Sequence, residues 1–158
     1  MTCCYLGLGS NLRHPARQLR QAIVKLHKLP QSVILAISSI YCSQPCGIRA
    51  QPPYLNMVIM LNTSLSPHKL LRYCQLIETK HQRLRKTRWG ARTLDIDLLL
   101  YGKQVIQSQE LIIPHQEMLK RDFVIVPLVE IAPEARLPSG ELIESYLRHC
   151  ERHLHHLN

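Results

Sequence analysis

Two strand-like runs, Val33 to Tyr41 and Tyr54 to Leu65, follow one another with only a loop between them. That loop, Cys42 to Pro53, holds Pro45, Pro52, Pro53 and Gly47, a spacing that no helix tolerates. A parallel pair of strands needs a long crossover, usually helical, so these two runs are expected to pair antiparallel. A flavodoxin-like parallel sheet is thereby disfavoured. Upstream, Cys3 to Gly9 reads as a short strand closed by the turn residues Gly9-Ser10-Asn11. Pro15 to Leu29 has helical spacing, with Leu19, Ile23 and Leu26 on one face and Pro30 as its stop.

Downstream, Ser66-Pro67 supplies an N-cap and a first-turn proline for a helix running to about Leu84, with Leu70, Cys74 and Ile77 as its apolar stripe. Lys86 to Ala91 reads as a polar loop and Thr93 to Tyr101 as a strand. Gly102-Lys103 is expected to turn into a hairpin partner at Gln104 to Gln107. Pro114, Pro127, Pro133 and Pro138 cut the rest into short pieces before a helix from about Glu141. The order β-α-β-β-α-β plus a tail predicts an α+β, ferredoxin-like fold. Its sheet is mainly antiparallel, with helices packed on one face and a C-terminal extension.

The 158 residues suit a single catalytic domain, residues 1–158. Mean hydropathy is −0.09, and no apolar run approaches the roughly 18 to 20 residues of a membrane span. The opening MTCCYLGLGSNLRH has no basic segment leading into an apolar one, so a cytoplasmic location is expected. Cys3, Cys4, Cys42, Cys46, Cys74 and Cys150 show neither CxxC pairs nor zinc spacing, and read as free thiols serving as small hydrophobes.

The formal net charge is +9, which points to an anionic partner. Pro67 to Arg92 concentrates it: Lys69, Arg72, Lys80, Arg83, Arg85, Lys86, Arg88 and Arg92 stand against Glu78 alone. This basic run leads into Asp95 and Asp97. Side chains at i and i+2 of a strand share a face, with Cα atoms roughly 7 Å apart. Two carboxylates held so close repel each other, and protonation or a cation must offset that. Mg²⁺ takes one or two protein carboxylates and completes its octahedron with water and phosphate oxygens. The remaining phosphate oxygens suit planar, always-charged guanidinium groups. Acid strand plus basic loop therefore reads as a metal–nucleotide site. Gly7-Leu8-Gly9-Ser10-Asn11-Leu12 lacks the third glycine of a dinucleotide fingerprint, and no P-loop or protein-kinase signature is present.

These residues resemble one family, the 6-hydroxymethyl-7,8-dihydropterin pyrophosphokinases of folate biosynthesis. The likeness runs through Gly9-Ser10-Asn11, Ser38-Ser39-Ile40-Tyr41, Gln51-Pro52-Pro53-Tyr54-Leu55-Asn56, and Glu78 with Arg83 and Arg85. It continues through Arg88-Trp89-Gly90-Ala91-Arg92-Thr93-Leu94-Asp95-Ile96-Asp97, Ile113-Pro114-His115, and Arg121 to Pro133. The resemblance implies that ATP and the pterin alcohol give the pterin diphosphate and AMP. It implies two Mg²⁺ on Asp95 and Asp97, one at the nucleophile and one clamping phosphates. Arg83 and Arg92 match arginines at the triphosphate. Gln75, Glu78, Arg85, Arg88, Trp89, His115 and Arg121 match nucleotide contacts or the loop bearing them.

For the pterin, Tyr54 and Phe123 match the two rings that sandwich it, and Asn56 shares a strand face with Tyr54. An amide, with one acceptor and two donors, suits the pterin's amidine-like edge. Ser43, Gln44 and Cys46 match a loop offering backbone groups to the ring. The segments 42–53 and 86–91 are expected to tighten on nucleotide. Four positions depart from the family: Ala91 for proline, Ser43 for threonine, Cys46 for an aliphatic residue, and Gln116 after Pro-His. A monomer, with no nucleic-acid or membrane partner, is implied.

Two rivals remain at this stage. A small basic RNA-binding module fits the topology and charge, but aromatics at 5% are sparse for a stacking surface. A γ-phosphoryl or nucleotidyl transferase could use the same acids. His149, His153, His155 and His156 read as a solvated tail and take no role.

Overall fold

The computed structural model describes residues 1–43, 52–81, 93–152 and 154–155. The elements run β1 (Thr2–Ser10), α1 (Pro15–His27), β2 (Ser32–Ile37), β3 (Tyr41–Ser43), β4 (Tyr54–Thr63), α2 (Pro67–His81) and β5 (Asp95–Tyr101). There follow β6 (Ile106–Gln107), β7 (Ile112–Ile113), α3 (Asp122–Ile131) and β8 (Leu154–His155), with short 3₁₀ turns at Met118–Lys120 and Ile143–His149. The main sheet is ordered β5-β1-β4-β3-β8, with β2 also on β4, and every ladder in it is antiparallel. The α+β, ferredoxin-like arrangement is therefore present.

Alternation along β1 sends Cys4, Leu6 and Leu8 to one face. There they pack with Met57, Ile59 and Leu61 of β4, Ile96 and Leu98 of β5, and the stripes of α1 and α2. Each such side chain, fully removed from water, contributes about 1.5–3 kcal/mol before entropy is counted. Helix α2 starts where the sequence says: the Lys69 N–H points at Ser66 Oγ at 3.4 Å and the Leu70 N–H bonds Ser66 O at 2.9 Å.

Five expectations are corrected. Helices cover both faces, not one. α3 carries Val124, Ile125 and Leu128 onto Val58, Leu99 and Leu100, forming a second core. Leu99 and Leu100 are adjacent yet share that core because a β-bulge interrupts the β1–β5 ladder there. The sequence hid α3 because Pro127 sits inside it; placed past the first turn, a proline costs a hydrogen bond that burial here offsets.

Second, β6 pairs with β7 rather than folding back on β5. Third, the helix expected from Glu141 is a 3₁₀ run, Ile143–His149. Fourth, the tail is not wholly solvated, since Leu154–His155 pairs with β3 and the Leu154 N–H bonds Asp122 Oδ2 at 3.1 Å. In addition, the strand expected from Val33 to Tyr41 is split in two. Ser38 explains the break: its N–H bonds Val58 O, and its hydroxyl replaces a carbonyl in accepting the Val58 N–H, both at 2.9 Å.

The five described cysteines are free, as expected, and Cys46 lies outside the described residues. Burial pushes the Cys4 thiol up to about 12, with Cys3 adding to the shift, so this side chain is inert. No described helix is long and apolar enough to cross a membrane.

The two helices of the first face are braced at their ends. The His81 imidazole, 7% exposed, donates from Nδ1 to Gln18 Oε1 at 2.5 Å and accepts at Nε2 from the Lys25 ammonium at 2.8 Å. Burial, and then Lys25, lower its pKa to about 4 from 6.5. A depressed histidine stabilises the fold fully above the unfolded value and loses that contribution as pH falls. The window is therefore 6.5 down to about 4. His81→Asn is expected to flatten the dependence of Tm on pH across that window, measured against the unmodified chain. Parallel Tm curves would refute the neutral-imidazole assignment.

Candidate active site

Strand β1 is the middle of the site, and its glycines shape it. The ladders place Gly9 between Asn56 of β4 and Asp95 of β5, and Gly7 between Val58 and Asp97. Cross-strand partners share a face, so Asn56, Gly9 and Asp95 form one row on the α3 side of the sheet. Two strand spacings put Asn56 and Asp95 roughly 10 Å apart. At Gly9 a Cβ would sit 3.4 Å from Asn56 Oδ1, so any side chain would fill the gap between acid and amide.

Asp95 and Asp97 share a face, as the strand period requires, while Leu94, Ile96 and Leu98 enter the first core. Glu78 reaches from α2 to the residue between them: the Ile96 N–H donates to Glu78 Oε2 at 3.2 Å. Beside Asp97 stands His115, with Nε2 at 3.8 Å from Oδ2. The Glu117 N–H donates to His115 Nδ1 at 3.2 Å, which in the neutral ring leaves the proton on Nε2, toward the carboxylate. A cleft of about 420 Å³ opens here. It is walled by Leu71, Leu98, Leu111 and Ile112, with Asp97 and His115 at its rim. Gln109, Glu110, Gln116 and Glu117 also line it, so the cleft offers polar groups as well as aliphatic wall.

Across Gly9 lies the other half. Asn56 is buried and donates through Nδ2 to Ser43 Oγ at 2.6 Å. Tyr54 opens the same strand, in register with Ser43. Helix α3 packs on β4 and β3 and brings Phe123 to this face, with the Arg121 guanidinium 5.6 Å from the ring centroid. Behind, Glu130 of α3 accepts from the Ser39 N–H and hydroxyl and from the Tyr41 hydroxyl. Burial pushes the Glu130 carboxyl up, but these hydrogen bonds outweigh it and hold it below the usual range.

Asp95, Asp97, Glu78 and His115 thus gather at one side of Gly9, and Ser43, Tyr54, Asn56 and Phe123 stand over the other. Gln75 is exposed on α2, one turn from Glu78. Arg83, Arg85, Arg88, Trp89 and Arg92, with Gln44 and Cys46, lie outside the described residues. Sequence reasoning missed Gly7, Gly9 and the cleft's aliphatic wall. The alternating glycines of GLGS were the available signal, since glycine at every second strand position clears one face.

The antiparallel sheet thus carries paired acids and a buried amide on opposite sides of a glycine. Residues 5–133 match the 7,8-dihydro-6-hydroxymethylpterin-pyrophosphokinase model, and the chain belongs to this family. It is 44% identical over 153 residues to a Haemophilus influenzae 2-amino-4-hydroxy-6-hydroxymethyldihydropteridine pyrophosphokinase, covering 97% of this chain and 96% of that one. It is 42% identical to the Pseudomonas aeruginosa protein of the same name, covering 92% and 90%. A Plasmodium falciparum HPPK-DHPS structure with pteroate shares the fold at a TM-score of 0.74 and 14% identity, covering 93% of this chain. This chain spans only 42% of that longer one. The RNA-binding alternative finds no support in these likenesses.

Proposed function

We infer that this chain transfers a pyrophosphoryl group from ATP to 6-hydroxymethyl-7,8-dihydropterin in folate synthesis, releasing AMP. Family membership supports the reaction, and one observation carries it to these residues: Asp95 and Asn56 flank Gly9 in a single row. A pterin held at Asn56 would present its hydroxymethyl group toward a triphosphate held beside Asp95. In-line attack on the β-phosphorus needs the two substrates held side by side in this way.

Asp95 and Asp97 offer hard oxygen donors, which is the donor set Mg²⁺ takes when phosphates and water complete its shell. Two Mg²⁺ bound there would supply charge neutralisation at the bridging and leaving oxygens. Glu78 holds the strand between the acids. His115, beside Asp97, adds a nucleotide contact. The cleft beside Asp97 takes the adenine ring of ATP. Arg83, Arg92, Arg85, Arg88 and Arg121 neutralise the triphosphate, Gln75 adds a polar contact, and Trp89 covers the nucleotide. Tyr54 and Phe123 stack on the pterin while Asn56, Ser43, Gln44 and Cys46 bind its edge. The chain acts as one catalytic domain and as a monomer in the cytoplasm, without nucleic-acid or membrane partners.

Product analysis tests the reading. With ATP, Mg²⁺ and the pterin alcohol, AMP and pterin diphosphate are expected in equal amounts. ADP with a pterin monophosphate would mean γ-transfer and would overturn it.

A further inference from the structure

The turn that ends β1 touches both halves of the site from below. Ser10 and Asn11 are adjacent and almost wholly buried, at 0% and 1% exposed. The Ser10 hydroxyl donates to Thr93 O, two residues before Asp95. The Asn11 Nδ2 donates to Pro52 O at 3.1 Å, two residues before Tyr54 and four before Asn56. The last residue of β1 therefore holds the entry of the acid strand β5 with its side chain, and the next residue holds the entry of the amide strand β4. Gly9, immediately before, lies between Asp95 and Asn56 in the sheet.

Both of these side-chain hydrogen bonds go to backbone carbonyls. Their effect falls on spacing. The β1 ladders end at Gly9 against β5 and at Ser10 against β4. Beyond those pairs, Ser10 and Asn11 each hydrogen-bond one of the two incoming segments.

We propose that Ser10 and Asn11 are positioning residues that set the distance between the pterin half-site and the metal–triphosphate half-site. The proposal rests on the functional reading above. Each half-site keeps its own groups when either anchor is lost, so each substrate still binds alone. What changes is the alignment of the pterin oxygen with the β-phosphorus, and displacements near 1 Å cost about 100-fold in rate. A buried hydrogen bond of purely structural value would instead lower stability and leave turnover intact.

The test compares Ser10→Ala, Asn11→Ala and a control, Tyr101→Phe. The control removes a buried hydrogen bond, from the Tyr101 hydroxyl to Leu65 O, at the far end of β5. Tm, the Kd for a non-hydrolysable ATP analogue with Mg²⁺, the Kd for the pterin alcohol and kcat are measured for each. For both anchor variants kcat is expected to fall about 30- to 100-fold, with either Kd within about threefold of the unmodified chain. Tyr101→Phe is expected to lower Tm and keep kcat. If Ser10→Ala does not fold, Ser10→Cys keeps the volume while weakening the donor and serves the same comparison. Anchor variants that match Tyr101→Phe, or that lose affinity for one substrate while keeping kcat, overturn the proposal. An unmodified chain that makes no pterin diphosphate removes the functional reading and this inference together, before any variant is compared.

Discussion

Asp97→Ala is expected to lower kcat for pyrophosphoryl transfer by about a thousandfold, while the pterin alcohol still binds with near-normal affinity. Two physical accounts of Asp97 compete, and magnitude separates them. In one, the carboxylate's business is its pair with His115, at 3.8 Å with the aspartate side chain 44% exposed. An ion pair that open contributes about 0–1 kcal/mol, less than tenfold in any rate. In the other, the oxygens hold cations that neutralise a developing charge, a contribution of several kcal/mol. His115→Ala provides the comparison. If Asp97→Ala has no further effect in the His115→Ala background, the pair with His115 is the whole effect. If Asp97→Ala retains more than about a tenth of the rate, cation binding at this position is ruled out. Asp95→Ala is expected to behave alike, because strand period puts both carboxylates on one face.

Asn56→Ala is expected to weaken pterin binding about 100-fold and leave the affinity for an ATP analogue unchanged. The amide is only 6% exposed, and through Nδ2 it bonds Ser43 Oγ. Its Oδ1 borders the space over Gly9. Removing the amide deprives both the pterin edge and the Ser43 hydroxyl of a partner in a buried place, where an unmet polar group costs about 1–3 kcal/mol. A titration of the pterin alcohol into each protein measures the effect. Equal affinities would mean that the amide serves Ser43 alone. Loss of ATP-analogue affinity as well would mean that the substitution disturbs the whole sheet.

Much of this frame was legible before any coordinates, and for identifiable reasons. The loop with Pro45, Pro52 and Pro53 forbids a crossover helix, so the central antiparallel pairing follows from local chemistry. The two acids follow from strand period alone. What stayed hidden depends on partners distant in the chain. Helix α3 contains Pro127, and only burial against Val58, Leu99 and Leu100 makes its cost tolerable. The break after Ile37 needs the Ser38 hydroxyl to meet Val58, and nothing within the strand announces that. The short β6 looked like a hairpin arm because Gly102, at φ 54, does make a turn. The chain then finds β7 instead of β5. At the site, residue types were readable, but the gap over Gly9 was not, because a missing side chain matters only once its neighbours are known.

The divided rim of the sheet has a consequence for how the protein softens with heat. Ser32–Ile37 leans on the α1 side through Ile34, whereas the Ser39–Tyr41 stretch is tied by Glu130 to α3. With Ser38 interrupting the ladder, fraying that begins at the outer corner has no continuous zipper along which to run inward. The stretch tied to α3 is therefore expected to outlast Ser32–Ile37 as the periphery begins to melt, a difference that hydrogen exchange on heating would measure.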